Sequence, residues 1–286
     1  MEVMGMAGSA AADGPQAVAG DLLGRELEAF RSRLQSLRIR QREVAEWAGI
    51  TGAALSRQLR GDVPPDPAIL VAAGELMIQA ARSRMRSDRR LRAGIAYHEA
   101  GHAVVGRVLG VPVRQVSIAP RYLSKPRRDR VVFPGVAFGH VAFHRRGARD
   151  TWHLWRSQPE GPTSDRDIPP LGMAQWALDD ATVCLAGPTA EASRYRLREW
   201  LAQRDVGRAY ALFLALWPDG RERPEEELGR LWGDWFDGVA RRTVDLVVAH
   251  WPAIENVAQA LLERETFTGR QFARIVEPHF ARLRAA

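Results

Sequence analysis

Cysteine is almost absent from this 286-residue chain, and Cys184 is the only one. No disulfide framework can form within one chain, and a cysteine-based zinc cluster is excluded. Such usage points to a reducing, cytoplasmic setting. Lysine is as scarce: Lys125 stands alone beside the arginines, in Leu123-Ser124-Lys125-Pro126 with no glycine before it. A phosphate loop of the G-x-x-x-x-G-K-[ST] type needs that lysine behind glycine and before Ser or Thr, so no ATPase of this kind is expected. Long apolar runs are missing too. Ala68 to Met77 is the best, and Glu75 interrupts it, well short of the ~18–20 residues that span a bilayer. The first residues lack the basic start and apolar core of a secretory signal.

What is present reads as ordinary globular protein. Hydrophobic residues make up 46% and charged residues 26%, and the length fits one or two domains at roughly 100–200 residues each. The net charge of +7 is carried almost wholly by arginine. That skew, with high alanine, reads as base composition of the coding sequence rather than as a functional signal.

Along the chain, residues 1–20 are Ala, Gly and Met without useful periodicity, and read as a flexible tail. Leu22, Leu23, Leu27, Phe30 and Leu34 recur at helical spacing behind Asp21 as N-cap. Arg40–Gly61 is a second helical stretch, Pro64, Pro65 and Pro67 break the chain, and Ala68–Ala81 is helical again. A small all-α module over 21–81 follows. Residues 82–92, strongly basic, read as a linker or a solvated helix end. A second unit over 93–286 opens with a helix at Ala93–Leu109, ended by Gly110 and Pro112. Val113–Ile118 is a strand, Val131–Phe143 a strand or hairpin, and 145–170 a long loop. Helices follow at about 171–197, 203–217, 225–250, 252–265 and 268–283. The expected class is mainly α (α+β), with a minor sheet.

One pentad carries chemistry. His98-Glu99-Ala100-Gly101-His102 is H-E-x-x-H. Residues four apart share a helix face, so both imidazoles can reach one zinc ion with Glu99 beside them. Glu99 is then placed to take a proton from attacking water and hand it to a leaving amine. Chance puts roughly 0.01 such pentads in a chain of this composition. The competing reading is a pair of core or solvent-facing histidines. Val104, Val105, Val108 and Leu109 make the helix apolar and buried, where unpaired polar groups are costly. A third ligand must come from elsewhere. Spacing does not choose among His140, His144, His153, His250, His279 and the acidic residues. The position of a third histidine in H-E-x-x-H-x-x-G-x-x-H is Val108, and no glutamate occurs between Glu99 and Glu160, so two common zinc-protease patterns are ruled out.

His98–Arg121 (HEAGHAVVGRVLGVPVRQVSIAPR) resembles the peptidase domain of the FtsH family of AAA zinc proteases. Phe138-Gly139-His140-Val141 is similar to that family's short edge strand, and Leu185–Glu191 (LAGPTAE) to its L-G-G-R-A-A-E segment. Gln203–Ala209 resembles its N-D-I-x-x-A helix, and Leu261–Gly269 its closing L-L-x-x-E-T-x-x-G element. The pieces lie in order from Ala93 to the C-terminus. The resemblance implies a zinc peptidase with His98, His102 and Asp205 as metal ligands and Glu99 as catalytic base. The alternative for Asp205 is an N-cap of its helix. Glu191 is implied near the metal, as a hydrogen-bond partner of a ligand histidine or as a surface carboxylate. His140 stands where the family has tyrosine, at a position facing substrate or metal. The family's membrane helices and ATPase module have no counterpart here, and the longer spacing between His102 and Asp205 is placed in 121–170 as an insertion over the cleft.

Residues 40–61 resemble a phage-repressor helix-turn-helix. Val44, Ala45 and Ala48 form one core face, Gly49 the turn, Ile50 a plug and Thr51 a cap; Leu55 and Leu59 face inward. Ala53, Ala54, Ser56, Arg57, Gln58 and Arg60 face outward, suited to a major groove. The same packing serves protein adaptors. The leading expectation is an ATP-independent zinc metalloendopeptidase acting on exposed or unfolded protein segments, guided by a DNA- or protein-binding module. The alternative is a DNA-binding transcriptional regulator whose metallopeptidase domain is sensory or inactive.

Overall fold

The computed structural model describes residues 15–143, 171–195, 199–216 and 223–285. The expected loop at 145–170, most of the expected tail, and His144 and His153 lie outside these residues. The described chain is mainly helical with two small antiparallel sheets. The helices are α1 (Pro15–Ser36), α2 (Gln41–Ala48), α3 (Gly52–Arg60), α4 (Pro67–Ser87), α5 (Arg89–Val108), α6 (Leu171–Arg194), α7 (Glu199–Leu216), α8 (Glu225–Ala249), α9 (Trp251–Arg264) and α10 (Gly269–Ala285). The strands are β1 (Val113–Ser117), β2 (Arg121–Ser124), β3 (Gly135–Ala137), β4 (His140–Phe143) and β5 (Thr266–Thr268).

Several boundaries differ from those the sequence pattern indicates. α1 starts at Pro15, so Asp21 lies inside it rather than capping it; proline fixes a helical φ at a first turn, a signal that apolar spacing does not register. The expected 82–92 linker is helix on both sides of one residue. α4 runs to Ser87, and the Asp88 side chain caps α5 by accepting from the Leu91 N–H at 2.8 Å. Arginine is a good helix former, and Met85 and Leu91 anchor the segment in buried positions.

The chain forms two compact units, one of residues 1–83 with 120–137, the other of 84–119 with 138–286. In the first, Leu27, Phe30 and Leu34 of α1 pack with Val44, Ala45, Leu55, Leu59, Ile69, Leu70 and Met77. α2 ends at Gly49 with φ 69, and Thr51 caps α3 by accepting from Ala54 N–H at 3.2 Å. Two short helices thus flank the turn at Gly49, with Leu55 and Leu59 buried. Its outward face is narrower than expected. The Gln58 side chain accepts from the Asp66 N–H at 2.7 Å, and Arg60 is engaged by Asp62 and Ser56. Arg57 is exposed.

The insertion expected over the cleft divides. Residues 120–137 leave the second unit and join the first, where β2 and β3 form a hairpin with Tyr122 opposite Val136. Phe133 from its loop enters the helical core, its ring centroid 5.6 Å from that of Phe30. Burying an aromatic ring outweighs keeping the loop solvated.

In the second unit, α5 is buried almost all round from Gly94 to Gly106 and packs on α6, α9 and β1. Alanine, glycine and valine make it narrow enough to sit centrally. α6, α7 and α8 share a core of Ala177, Ala181, Leu185, Ala209, Leu212 and Val239, edged by Trp232, Trp235 and Phe236. Asp180 pairs with Arg208 of α7 and Asp179 with Arg242 of α8. The three-stranded sheet has the order β4-β1-β5, with Val116 opposite Val141 and Phe267. Among the described strands β4 thus lies at an edge.

Truncating Phe133 to alanine is expected to cost about 3 kcal/mol, read as faster hydrogen exchange of α1 and α4 amides. Exchange in α5 and α9 should change less, because their core lies in the other unit.

Candidate metal centre

α5 carries His98, Glu99 and His102, and all three are buried. α7 brings Asp205 to them from 103 residues beyond His102. Asp205 is the seventh residue of its helix, so the N-cap alternative does not hold; the helix begins four residues earlier than its apolar pattern indicates.

The atoms converge. His98 Nε2 lies 3.1 Å from Asp205 Oδ2 and 3.1 Å from His102 Nε2, and the remaining separation, His102 Nε2 to Asp205 Oδ2, is 3.6 Å. Among the described residues these three form a cluster suited to a metal ion. His140 stays on β4, and His250 and His279 face one another at 3.0 Å elsewhere.

The outer nitrogens explain the inner ones. His102 Nδ1 sits 2.6 Å from the Val183 carbonyl oxygen, which can only accept, so that nitrogen carries the proton and Nε2 carries a lone pair. His98 Nδ1 faces Glu191 Oε2 at 3.3 Å and donates in the same way. Glu191 is fully buried, which removes the surface-carboxylate alternative. The two Nε2 atoms and a carboxylate oxygen then face a common centre, where a proton on His98 or a metal ion can bridge them. Such a set of atoms could hold a metal ion. Tetrahedral zinc at about 2.0–2.1 Å from each ligand separates its ligands by about 3.3 Å, and the three observed edges bracket that value.

The electrostatics agree. Burial opposes charge on His98, yet the hydrogen bonds to Asp205 and Glu191 and the charge of Glu99 outweigh it and raise its pKa to about 10. Burial alone would raise the Asp205 carboxyl; the two histidines overcome this and hold it well below the usual carboxylate range. The pocket favours positive charge at its centre, which a divalent ion supplies in place of a proton.

Two glycines make room. A Cβ on Gly187 would lie 2.3 Å from His102 Nε2, so the imidazole rests flat on the α6 backbone. Pro188 follows inside the helix. A Cβ on Gly139, just before β4, would lie 2.6 Å from Glu99 Oε1, which puts the start of the edge strand directly against the carboxylate. The sequence reading assigned no role to either glycine, nor to the Val183 carbonyl. The glycines stand inside the two quoted segments and carry the signal; a backbone carbonyl leaves none.

Gly187→Ala is expected to weaken zinc binding by more than tenfold, measured by competition with a chromophoric chelator. Gly139→Ala should leave zinc affinity within about twofold, because its added methyl meets Glu99 and not a ligand.

No family model matches the chain. Comparison with curated proteins finds similarity to zinc proteases. An "ATP-dependent zinc metalloprotease FtsH" of Acidimicrobium ferrooxidans is 29% identical over 204 residues, 64% of this chain and 27% of that protein. An "ATP-dependent zinc metalloprotease FtsH 2" of Sphaerobacter thermophilus is 27% identical over 257 residues, 82% of this chain and 36% of that protein. An "ATP-dependent zinc metalloprotease FtsH 3" of Symbiobacterium thermophilum is 26% identical over 215 residues, 68% of this chain and 31% of that protein. The chain thus spans about a third of the length of the curated relatives it matches, and its distant similarity is to FtsH zinc metalloproteases.

Proposed function

We propose that this chain is a zinc metalloendopeptidase that hydrolyses peptide bonds in exposed or unfolded protein segments without ATP. The observation that carries the reading is the triangle of His98 Nε2, His102 Nε2 and Asp205 Oδ2 with Glu99 buried beside it. The names of the relatives support zinc and peptide hydrolysis. The absence of a lysine in a phosphate-loop setting supports ATP independence. No helix among the described residues is long and apolar enough to cross a membrane, and the single cysteine fits a cytoplasmic setting.

His98, His102 and Asp205 would hold the ion, while Glu191 and the Val183 carbonyl fix the two rings through their Nδ1 protons. When bound, zinc supplies a Lewis acid and lowers the pKa of a coordinated water. Glu99 accepts the proton of the attacking water and returns it to the leaving amine. Among the described strands β4 lies at the sheet edge, where its main-chain groups can meet an extended substrate, and Gly139 brings that edge to the carboxylate without a side chain between them. A folded substrate cannot adopt this extended pose, so the fitting substrates are segments already exposed.

The second reading is a DNA-binding regulator with a sensory or inactive peptidase unit. The α2–Gly49–α3 geometry and the Thr51 cap favour a nucleic-acid role for residues 40–61. In the combined reading this module directs the peptidase to its substrates.

Glu99→Gln is expected to lower zinc-dependent cleavage of an unstructured protein by about 10²–10⁴-fold while zinc content stays at one per chain. Asp205→Ala should lose the zinc itself. An unchanged cleavage rate in Glu99→Gln overturns the mechanism; cleavage absent from wild type that still binds duplex DNA favours the regulator.

A further inference from the structure

We propose that the β2–β3 hairpin is a second DNA-contacting element of the first unit, with the loop over 125–131 gripping the phosphate backbone of duplex DNA. The inference rests on the nucleic-acid reading of residues 40–61 and adds to it an element about sixty residues further along the chain.

The hairpin is built into the helical module and held stiffly. Phe133 lies in the core with Phe30, and Arg33 Nη1 donates to the Pro134 carbonyl at 3.3 Å. The rings of Pro126 and Pro134 fill the notch over Gly74, where a Cβ would lie 2.8 Å from Pro126 Cγ. The Ser124 hydroxyl donates to the Phe133 carbonyl at 2.7 Å and closes the base of the loop. What this frame presents is charge: Lys125, Arg127, Arg128 and Arg130 are all exposed, and Asp129 is the one acid among them. Asp129 engages Arg127 at 3.2 Å. The one lysine of the chain is in this loop. A linker of this composition would be free of the core; here two prolines and a buried phenylalanine order it, so the cations are displayed at low entropic cost.

The partner follows from what α3 lacks. Its first exposed residues are Gly52 and Ala53, and Gln58 and Arg60 are engaged within the module. Few side chains remain to read base edges. Binding must then draw on phosphate contacts, which position a protein on the duplex without specifying sequence. Four exposed cations on a rigid loop supply that electrostatic share.

The test is fluorescence anisotropy of the intact chain on a random-sequence duplex of about 24 base pairs between 50 and 200 mM salt. Each phosphate contact contributes about 0.9 to the slope of log K against log salt. Replacing Lys125, Arg127, Arg128 and Arg130 by alanine is expected to reduce that slope by about 3–4 and the affinity at 100 mM salt by more than tenfold. The charge reversal Arg127→Glu with Arg128→Glu should act in the same direction, and thermal melting should show both variants folded. Wild-type binding with an unaltered slope in both variants overturns the hairpin assignment and leaves the helix-pair reading standing. No duplex binding by wild type overturns both. Equal binding of poly-glutamate and duplex assigns the loop to acidic proteins and likewise overturns it.

Discussion

Three acceptor atoms facing one another in a buried pocket are the constraint on which the rest of the second unit depends. His98 and His102 have their Nδ1 protons committed to Glu191 and to the Val183 carbonyl. Their Nε2 atoms and Asp205 Oδ2 are left within 3.1–3.6 Å of one another. Such an arrangement is relieved by a proton on His98 or by a metal ion among the three atoms. Every element packed around it serves to keep the rings from turning away: α5 supplies the histidines, α6 their outer partners, and α7 the carboxylate.

The site is also defined by what is missing from the backbone around it. Gly187 lets the His102 ring lie against α6, and Gly139 lets the chain entering β4 lie against Glu99. The same pentad on a helix whose neighbours carried β-carbons at these two places would have no room for either side chain in its present position. The ion pairs Asp180–Arg208 and Asp179–Arg242 tie α6 to α7 and α8, and the first of them lies one helical turn from Asp205. They are partly exposed and add little stability singly.

The first unit shows a different economy. Phe133 joins the core of its helices from a hairpin set between β1 and β4 in the chain. The chain therefore leaves the second unit after Ala119 and returns at Phe138, immediately before the glycine that touches Glu99. An insertion that would have been tolerated as a surface loop is instead part of a core.

By itself the sequence determined the helical class, the pentad, the two short helices around Gly49 and the absence of a phosphate-loop lysine, because each rests on local periodicity or on residue type. Asp205 and Glu191 came within reach only through ordered resemblance, since a single carboxylate on a helix has no local mark. Tertiary structure alone decided that Val183 offers its carbonyl to His102 and that Gly187 and Gly139 are contacts of the site. It also decided that Gln58 bonds the Asp66 N–H, that Arg60 pairs with Asp62 at the surface, and that residues 120–137 belong to the first unit. These are matters of which surfaces meet, and they depend on the packing of segments tens of residues apart, which periodicity along one segment does not encode.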